Sequence, residues 1–160
     1  LLIGLISDTH IPDAVLALPP QVSEVFSGVD LILHAGDIFE VSVLDQLGEI
    51  APVLAAQGDS DYAEVRNDSR VKEEHVLEIG DTRICLWHDE RRSWHGLCEE
   101  PPDAIVFGHT HWPVVKRQDG TLFVCPGSPT YPAYRCRLGT VGLLRIAPDM
   151  VEAEIIQLTG

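Results

Sequence analysis

Apolar runs and turn signals alternate along this chain in a rhythm that changes part-way. Leu2 to Ile6 is apolar throughout, the pattern of a core strand. Pro19-Pro20 and the following Gln21 to Phe26 predict a helix whose first turn tolerates proline, and Gly28 ends it. Asp30 to His34 predicts a second strand. Val41 to Ile50 predicts a helix with apolar residues at Val41, Val43, Leu44 and Leu47, and Pro52 to Ala56 a third strand. This β-α-β-α-β order implies right-handed crossovers and a parallel sheet. After Tyr62 the pattern changes to hairpins. His75 to Ile79 and Arg83 to Trp87 flank Gly80-Asp81, and Val114 to Lys116 and Leu122 to Cys125 flank Asp119-Gly120. Ala104 to Phe107 reads as a buried strand, and Thr140 to Ile146 with Val151 to Leu158 as a closing pair. The second half is therefore expected to be mostly antiparallel. The fold class is α/β, two sheets face to face with helices outside, in a single domain over residues 1–160 with no repeat or linker.

The polar residues that end these strands carry the chemistry. Asp8 and His10, then Asp37, Asp59, His88, and finally His109 and His111 each follow a short apolar run, so a parallel sheet would deliver them to one edge. Carboxylates and imidazoles suit borderline divalent cations, and seven such groups suffice for two ions if one carboxylate bridges them. Phosphoryl transfer is the chemistry that such pairs commonly serve.

Each piece also has a plainer reading. Asp8-Thr9-His10 could be a turn cap beside a surface histidine, Gly36-Asp37 a turn, and Gly58-Asp59-Ser60-Asp61 a polar turn. His88 could merely close its strand. Gly108-His109-Thr110-His111 is the most specific, because a small residue after a buried strand lets the chain turn and set two imidazoles on adjacent ions. The order of the pieces argues for a site, since accidents at five strand ends would have to coincide.

Composition removes several alternatives. The 160 residues, 45% of them hydrophobic, can bury roughly 70% of the surface of the unfolded chain. A formal charge of −14 argues against a general nucleic-acid surface and against anionic membranes. Cys85, Cys98, Cys125 and Cys136 show no Cys-x-x-Cys spacing and read as reduced thiols, which points to the cytoplasm. The apolar start is too short to span a membrane and lacks the marks of a signal peptide. Without an initiator Met, the true N-terminus stays open.

Ser7-Asp8-Thr9-His10, Gly36-Asp37, Gly58-Asp59-Ser60-Asp61, His88, Gly108-His109-Thr110-His111 and Pro126-Gly127-Ser128 together resemble the calcineurin-like metallophosphoesterase superfamily. The nearest likeness is to its small single-domain phosphodiesterase branch, which includes the retromer subunit Vps29, and it runs from Leu2 to about Leu158. The resemblance implies a four-layer α/β/β/α sandwich of two mixed sheets. It further implies that Asp8, His10 and His111 hold one ion, that Asp59, His88 and His109 hold a second, and that Asp37 bridges them. Manganese is the first expectation, with iron, zinc or nickel as alternatives. A hydroxide between the ions would attack phosphorus, with Asp37, Asp59 and Asp61 at the catalytic centre.

Departures from the family pattern qualify this expectation. Asp59 stands where the branch carries Asn, which lowers the positive charge of a two-ion site by one and should favour monoanionic diesters over dianionic monoesters. Ser60 stands where larger members carry an acidic His, implying modest rates and good leaving groups. Asp61 is expected to orient a ligand such as His10 or His109. Asp89 and Cys125 replace the usual Gly and Asn; solvent and core packing are their expected places. Arg91 and Arg92 could meet a phosphate but more commonly form charge pairs, and Ser128 and Arg135 are candidates for approaching substrate. His34 is expected to be a hydrogen-bonded core residue, and His75 and His95 to be unrelated to metal. The reading is a phosphoesterase acting on a small phosphodiester or phosphomonoester. The alternative is a Vps29-like interaction scaffold, which the four histidines disfavour and Asp59 and Ser60 keep open. Natural substrate and homo-oligomer formation are left open.

Overall fold

The computed structural model describes residues 1–133 and 138–160. Its elements are β1 (Leu2–Ile6), α1 (Pro20–Val25), β2 (Leu31–His34), α2 (Val41–Gly48), β3 (Val53–Ala56), α3 (Ala63–Arg66), β4 (Val71–Lys72), β5 (His75–Ile79), β6 (Thr82–Leu86), β7 (Ala104–Val106), β8 (Pro113–Gln118), β9 (Thr121–Pro126), β10 (Thr140–Ala147) and β11 (Met150–Gln157). They form a sheet in the order β11-β10-β1-β2-β3-β4 and a second in the order β5-β6-β7-β9-β8.

Burial on both faces explains the unbroken apolar strands. In β1, Ile3 and Leu5 enter the core between the sheets with Leu33, Ile84, Leu86, Val106 and Val124. Ile6 faces the other way, against Val22 and Phe26 near α1 and Val43, Leu44 and Leu47 of α2. The period-2 alternation of a strand thus serves two cores at once. Gly4 leaves room for the Phe26 ring, which a Cβ would approach to 3.0 Å.

The second sheet is mixed, as the resemblance implied: β7 runs parallel to both β6 and β9, while only the β5–β6 and β8–β9 pairs are antiparallel. Hairpin turns announce themselves locally, but nothing in the short run Ala104 to Val106 encodes its direction. The consequence is functional, because parallel neighbours end together and bring His88 and His109 to one edge. Helices were expected outside both sheets. Among the described residues, α1, α2 and α3 lie over the first sheet, and the segment 88–103 instead covers the outside of the second, where Trp94, Leu97 and Cys98 pack on Cys85, Trp87, Ile105, Phe107 and Cys125. The one-turn α3 and two-residue β4 are too short to leave a periodic signal. No helix among the described residues is long and apolar enough to cross a membrane.

Candidate metal centre

Loops after β1, β2, β3, β6 and β7 converge at one edge. Their backbone is unusual: Asp8, His10, Asp37, His109 and His111 all have left-handed φ, between 46° and 74°. Residues other than glycine seldom adopt that region, at a cost of order 1–3 kcal/mol each where the fold enforces it. The chain coils here through left-handed residues, turning both members of each Asp-x-His and His-x-His unit inward. Gly58 and Gly108 permit this crowding, since a Cβ would lie 2.0 Å from the Asp37 amide nitrogen at the first and 2.0 Å from Ser7 Oγ at the second.

Among the described residues the side chains form three groups that could hold an ion: Asp8 with His10 and His111, Asp59 with His88 and His109, and, overlapping both, the buried Asp8, Asp37 and His88. In the first, Asp8 Oδ1 is 3.8 Å from His10 Nε2 and 3.4 Å from His111 Nε2. In the second, Asp59 Oδ2 is 3.5 Å from His88 Nε2 and 2.9 Å from His109 Nδ1. Asp37 Oδ2 stands between them, 3.6 Å from His10 Nε2 and 3.5 Å from His88 Nε2.

Two of the imidazoles are locked. The His88 Nδ1–H donates to the Ala35 carbonyl at 2.7 Å and the His111 Nδ1–H to the Tyr131 carbonyl at 2.6 Å. A carbonyl only accepts, so each Nδ1 carries its proton there and Nε2, facing carboxylate oxygen, is the atom left to take up a cation. Between that nitrogen and the carboxylate a positive charge is stable, whether a proton or a metal ion. Most spacings here are too long for hydrogen bonds, yet close to the roughly 3–3.4 Å that separates two ligands each about 2.1 Å from a shared ion. His10 Nε2 is buried with no hydrogen-bond partner. The groups therefore fit divalent metal on the evidence of their own geometry.

Electrostatics agree. Burial works against the charged form of Asp8, but the adjoining His10 and His111 imidazoles outweigh it and hold the carboxyl well below the usual range. Asp37 is likewise lowered, burial being outweighed chiefly by His88. Burial disfavours a charged His88, yet the Asp37 and Asp8 carboxylates push it up to about 9, and His111 is raised by Asp8. The centre draws positive charge, supplied by protons when metal is removed.

Supporting residues are only partly those expected. Asp61 is buried and contacts neither His10 nor His109 through hydrogen bonds; Oδ1 accepts the Ile38 and Phe39 amides at 2.6 and 2.9 Å, and Oδ2 the Gly58 amide at 2.6 Å. It ties the Asp37 loop to the Asp59 loop, a role that local sequence does not reveal. Ser128 is buried rather than turned to substrate, and its Oγ donates to the Asp8 carbonyl at 2.7 Å. The Ser60 amide donates to Asp37 Oδ1 at 3.0 Å. Arg91 pairs with Asp89, and Arg92 with Glu74. Cys125 is in the core. His34 is buried between Thr9 Oγ1 and the Gly36 amide and is pushed down to about 3 by burial. His75 contacts the Ala55 carbonyl and His95 contacts Ser93, both outside the metal groups. Arg135 and Cys136 lie outside the described residues. Sequence reasoning missed Phe39 and Tyr131, whose rings lie 4.7 and 5.8 Å from that of His10.

Residues 1–148 match the family described as the calcineurin-like phosphoesterase superfamily domain. The chain belongs to this superfamily. A probable metallophosphoesterase of Methanocaldococcus jannaschii is 36% identical over 99% of this chain and 82% of that protein. A phosphodiesterase of the same organism is 26% identical over 89% of this chain and 91% of its own. Among solved structures, Vps29 of Entamoeba histolytica in complex with zinc superposes with a TM-score of 0.73 at 23% identity, covering 98% of this chain and 99% of the other. The calcineurin-like fold and the small single-domain branch with Vps29 are those inferred from the motifs. The superfamily's metallophosphoesterase chemistry accords with these Asp–His groups.

Proposed function

We propose that the chain is a phosphodiesterase using two divalent ions, held by Asp8, His10 and His111 on one side and by Asp59, His88 and His109 on the other, with Asp37 shared. The observation that carries this reading is the pair of locked imidazoles, His88 and His111, whose Nδ1–H groups are held by carbonyls so that Nε2 is aimed at the Asp37 carboxylate in the first and the Asp8 carboxylate in the second. Bound ions would supply Lewis acidity, acidifying water and drawing charge from the phosphoryl oxygens. Manganese suits the mixed oxygen and nitrogen donors.

The remaining work falls to the protein. Asp61 holds the Asp37 and Asp59 loops in register, and Ala35 and Tyr131 fix the histidine tautomers. Ser60 presents a hydroxyl of ordinary acidity where a histidine would protonate a leaving group, so substrates with good leaving groups are favoured. The carboxylate at Asp59 reduces attraction for dianions, which supports diesters over monoesters. The free thiols of Cys85, Cys98 and Cys125 support a reducing, cytoplasmic setting.

The test is turnover of bis(p-nitrophenyl) phosphate by metal-stripped protein titrated with manganese, with Asp37→Asn as control. Activity that requires metal and is lost in the variant is the expected result. Metal binding without turnover above the control would overturn the reading in favour of a scaffold.

A further inference from the structure

An aromatic strip flanks the first ligand group. Tyr131 lies 5.8 Å from His10 and 5.4 Å from His111, Phe39 lies 4.7 Å from His10, and Tyr62 stacks on Phe39 at 5.6 Å with an interplanar angle of 26°. Between Tyr131 and Phe39 is a hollow of about 290 Å³, with Asp13 and Ala14 completing it. His10 also lines it, and a larger hollow of about 640 Å³, lined by His109 and His111, shares Tyr131 as a wall. Tyr131 thus borders two hollows at the metal centre, the smaller one a slot, each of a size in keeping with small-molecule sites of roughly 300–1,000 Å³.

Tyr131 is 61% exposed and Tyr62 is 41% exposed, so burial does not explain the placement of these two rings, whereas Phe39 is buried. Phe39 has φ +80°, a left-handed conformation that is a genuine outlier for a bulky residue, and the Asp61 carboxylate holds its amide. The fold bears this strain with the ring against His10. Asp13 adds a hydrogen-bond acceptor at the slot's exposed rim. The exposed face of Tyr131, beside a buried Phe39 and one peripheral acceptor, suits a planar heterocycle bearing an amino group better than an acyl chain, which would gain nothing from the carboxylate. A polynucleotide is disfavoured by the net charge of −14 and by the engagement of Arg91 and Arg92 with carboxylates.

We propose that this slot binds the base of a small nucleoside phosphodiester, with Tyr131 as its stacking face. The inference rests on the phosphodiesterase reading for the identity of the reacting group, but the slot can be tested without turnover. Adenosine 5′-monophosphate and ribose 5-phosphate share sugar and phosphate and differ by the base. Calorimetric titration of each into the manganese-loaded protein should show the nucleotide binding about tenfold more tightly, in line with base–aromatic stacking. Tyr131→Ala should weaken the nucleotide about tenfold more than the sugar phosphate, so that the two bind alike, whereas Tyr131→Phe should retain the difference. The backbone carbonyl that orients His111 survives both substitutions. Equal affinities in the wild type, or equal weakening of both ligands in Tyr131→Ala, would overturn the proposal. Diester turnover with no base preference would remove the slot and leave the phosphodiesterase standing; a base preference without turnover would do the reverse.

Discussion

The two halves of the proposed metal centre use the same residue types and hold them differently. Asp8 is fully buried, with side-chain exposures of only 18% and 15% for His10 and His111, while Asp59 is 62% exposed and its partner His109 37% exposed. Asp8 is also braced: Ser7 Oγ donates to its Oδ2 at 2.5 Å, the His109 amide lies within 3.3 Å of both carboxylate oxygens, and Ser128 and Thr130 take its carbonyl. Asp59 is held only through its histidine neighbours among the interactions described. Pre-ordered, desolvated ligands lose little entropy on binding an ion and feel its charge strongly. The comparison teaches that composition alone does not set affinity: the inner group should grip its ion and the outer one exchange it.

Removing the residue common to both halves breaks the comparison most severely. Asp37→Asn should abolish coupled occupancy and cost at least a hundredfold in turnover, because even partners of metal ligands are worth about 10–100-fold. Metal content by elemental analysis beside the rate assay checks it, and a variant that retains two ions and full rate would refute Asp37 as the bridge. Separating the halves comes next. Asp8→Asn should weaken the tighter ion by about 100-fold, and Asp59→Asn the weaker one by about 10-fold, in calorimetric titrations with manganese. Equal losses would mean that the difference in burial has no bearing on affinity. Asp59→Asn should also move the rate ratio of diester to monoester toward the monoester.

Subtler changes act through the scaffold. Asp61→Asn places an amide donor toward backbone donors of either the Asp37 or the Asp59 loop, and should cost about 2–4 kcal/mol in urea unfolding. No change in stability would contradict its role as a tie. The smallest expected effect is that of pH on the metal-free protein. His88 rises from its ordinary 6.5 to about 9, so its stabilising contribution is fully present below pH 6.5 and is lost as pH rises through 9. Over that window stability should fall by about 1–3 kcal/mol, while metal affinity rises as protons cease to compete. Thermal unfolding in chelator at pH 6 and pH 9.5 would show this slope in the wild type and a smaller one in His88→Gln. Asp8 and Asp37 act in the opposite sense, their contribution being present above the ordinary carboxylate value of 3.8 and lost as pH falls.

How much was legible in advance follows from where each signal resides. The strands β1, β2 and β3, the helices α1 and α2, and both hairpins carry local periodicity or turn chemistry, and all stand within a residue or two of the expected bounds. The motif residues were legible because metal chemistry restricts residue type and because parallel strands restrict where such residues end. The direction of β7, the loop that replaces outer helices over the second sheet, and the roles of Asp61 and Ser128 were not, since each depends on a partner distant in sequence. Asp61 binds amides about 22 residues away, and Ser128 a carbonyl 120 residues away.

By itself, then, the amino-acid sequence determined which atoms could meet an ion and which segments would be strands, because hydrophobic period and donor chemistry are properties of neighbouring residues. Only the tertiary structure decided which Nε2 atoms face carboxylates, which aspartate is desolvated and which is open, and where the aromatic rings stand. Those properties arise from burial and from contacts across the two sheets, and they exist only once distant segments share the same space.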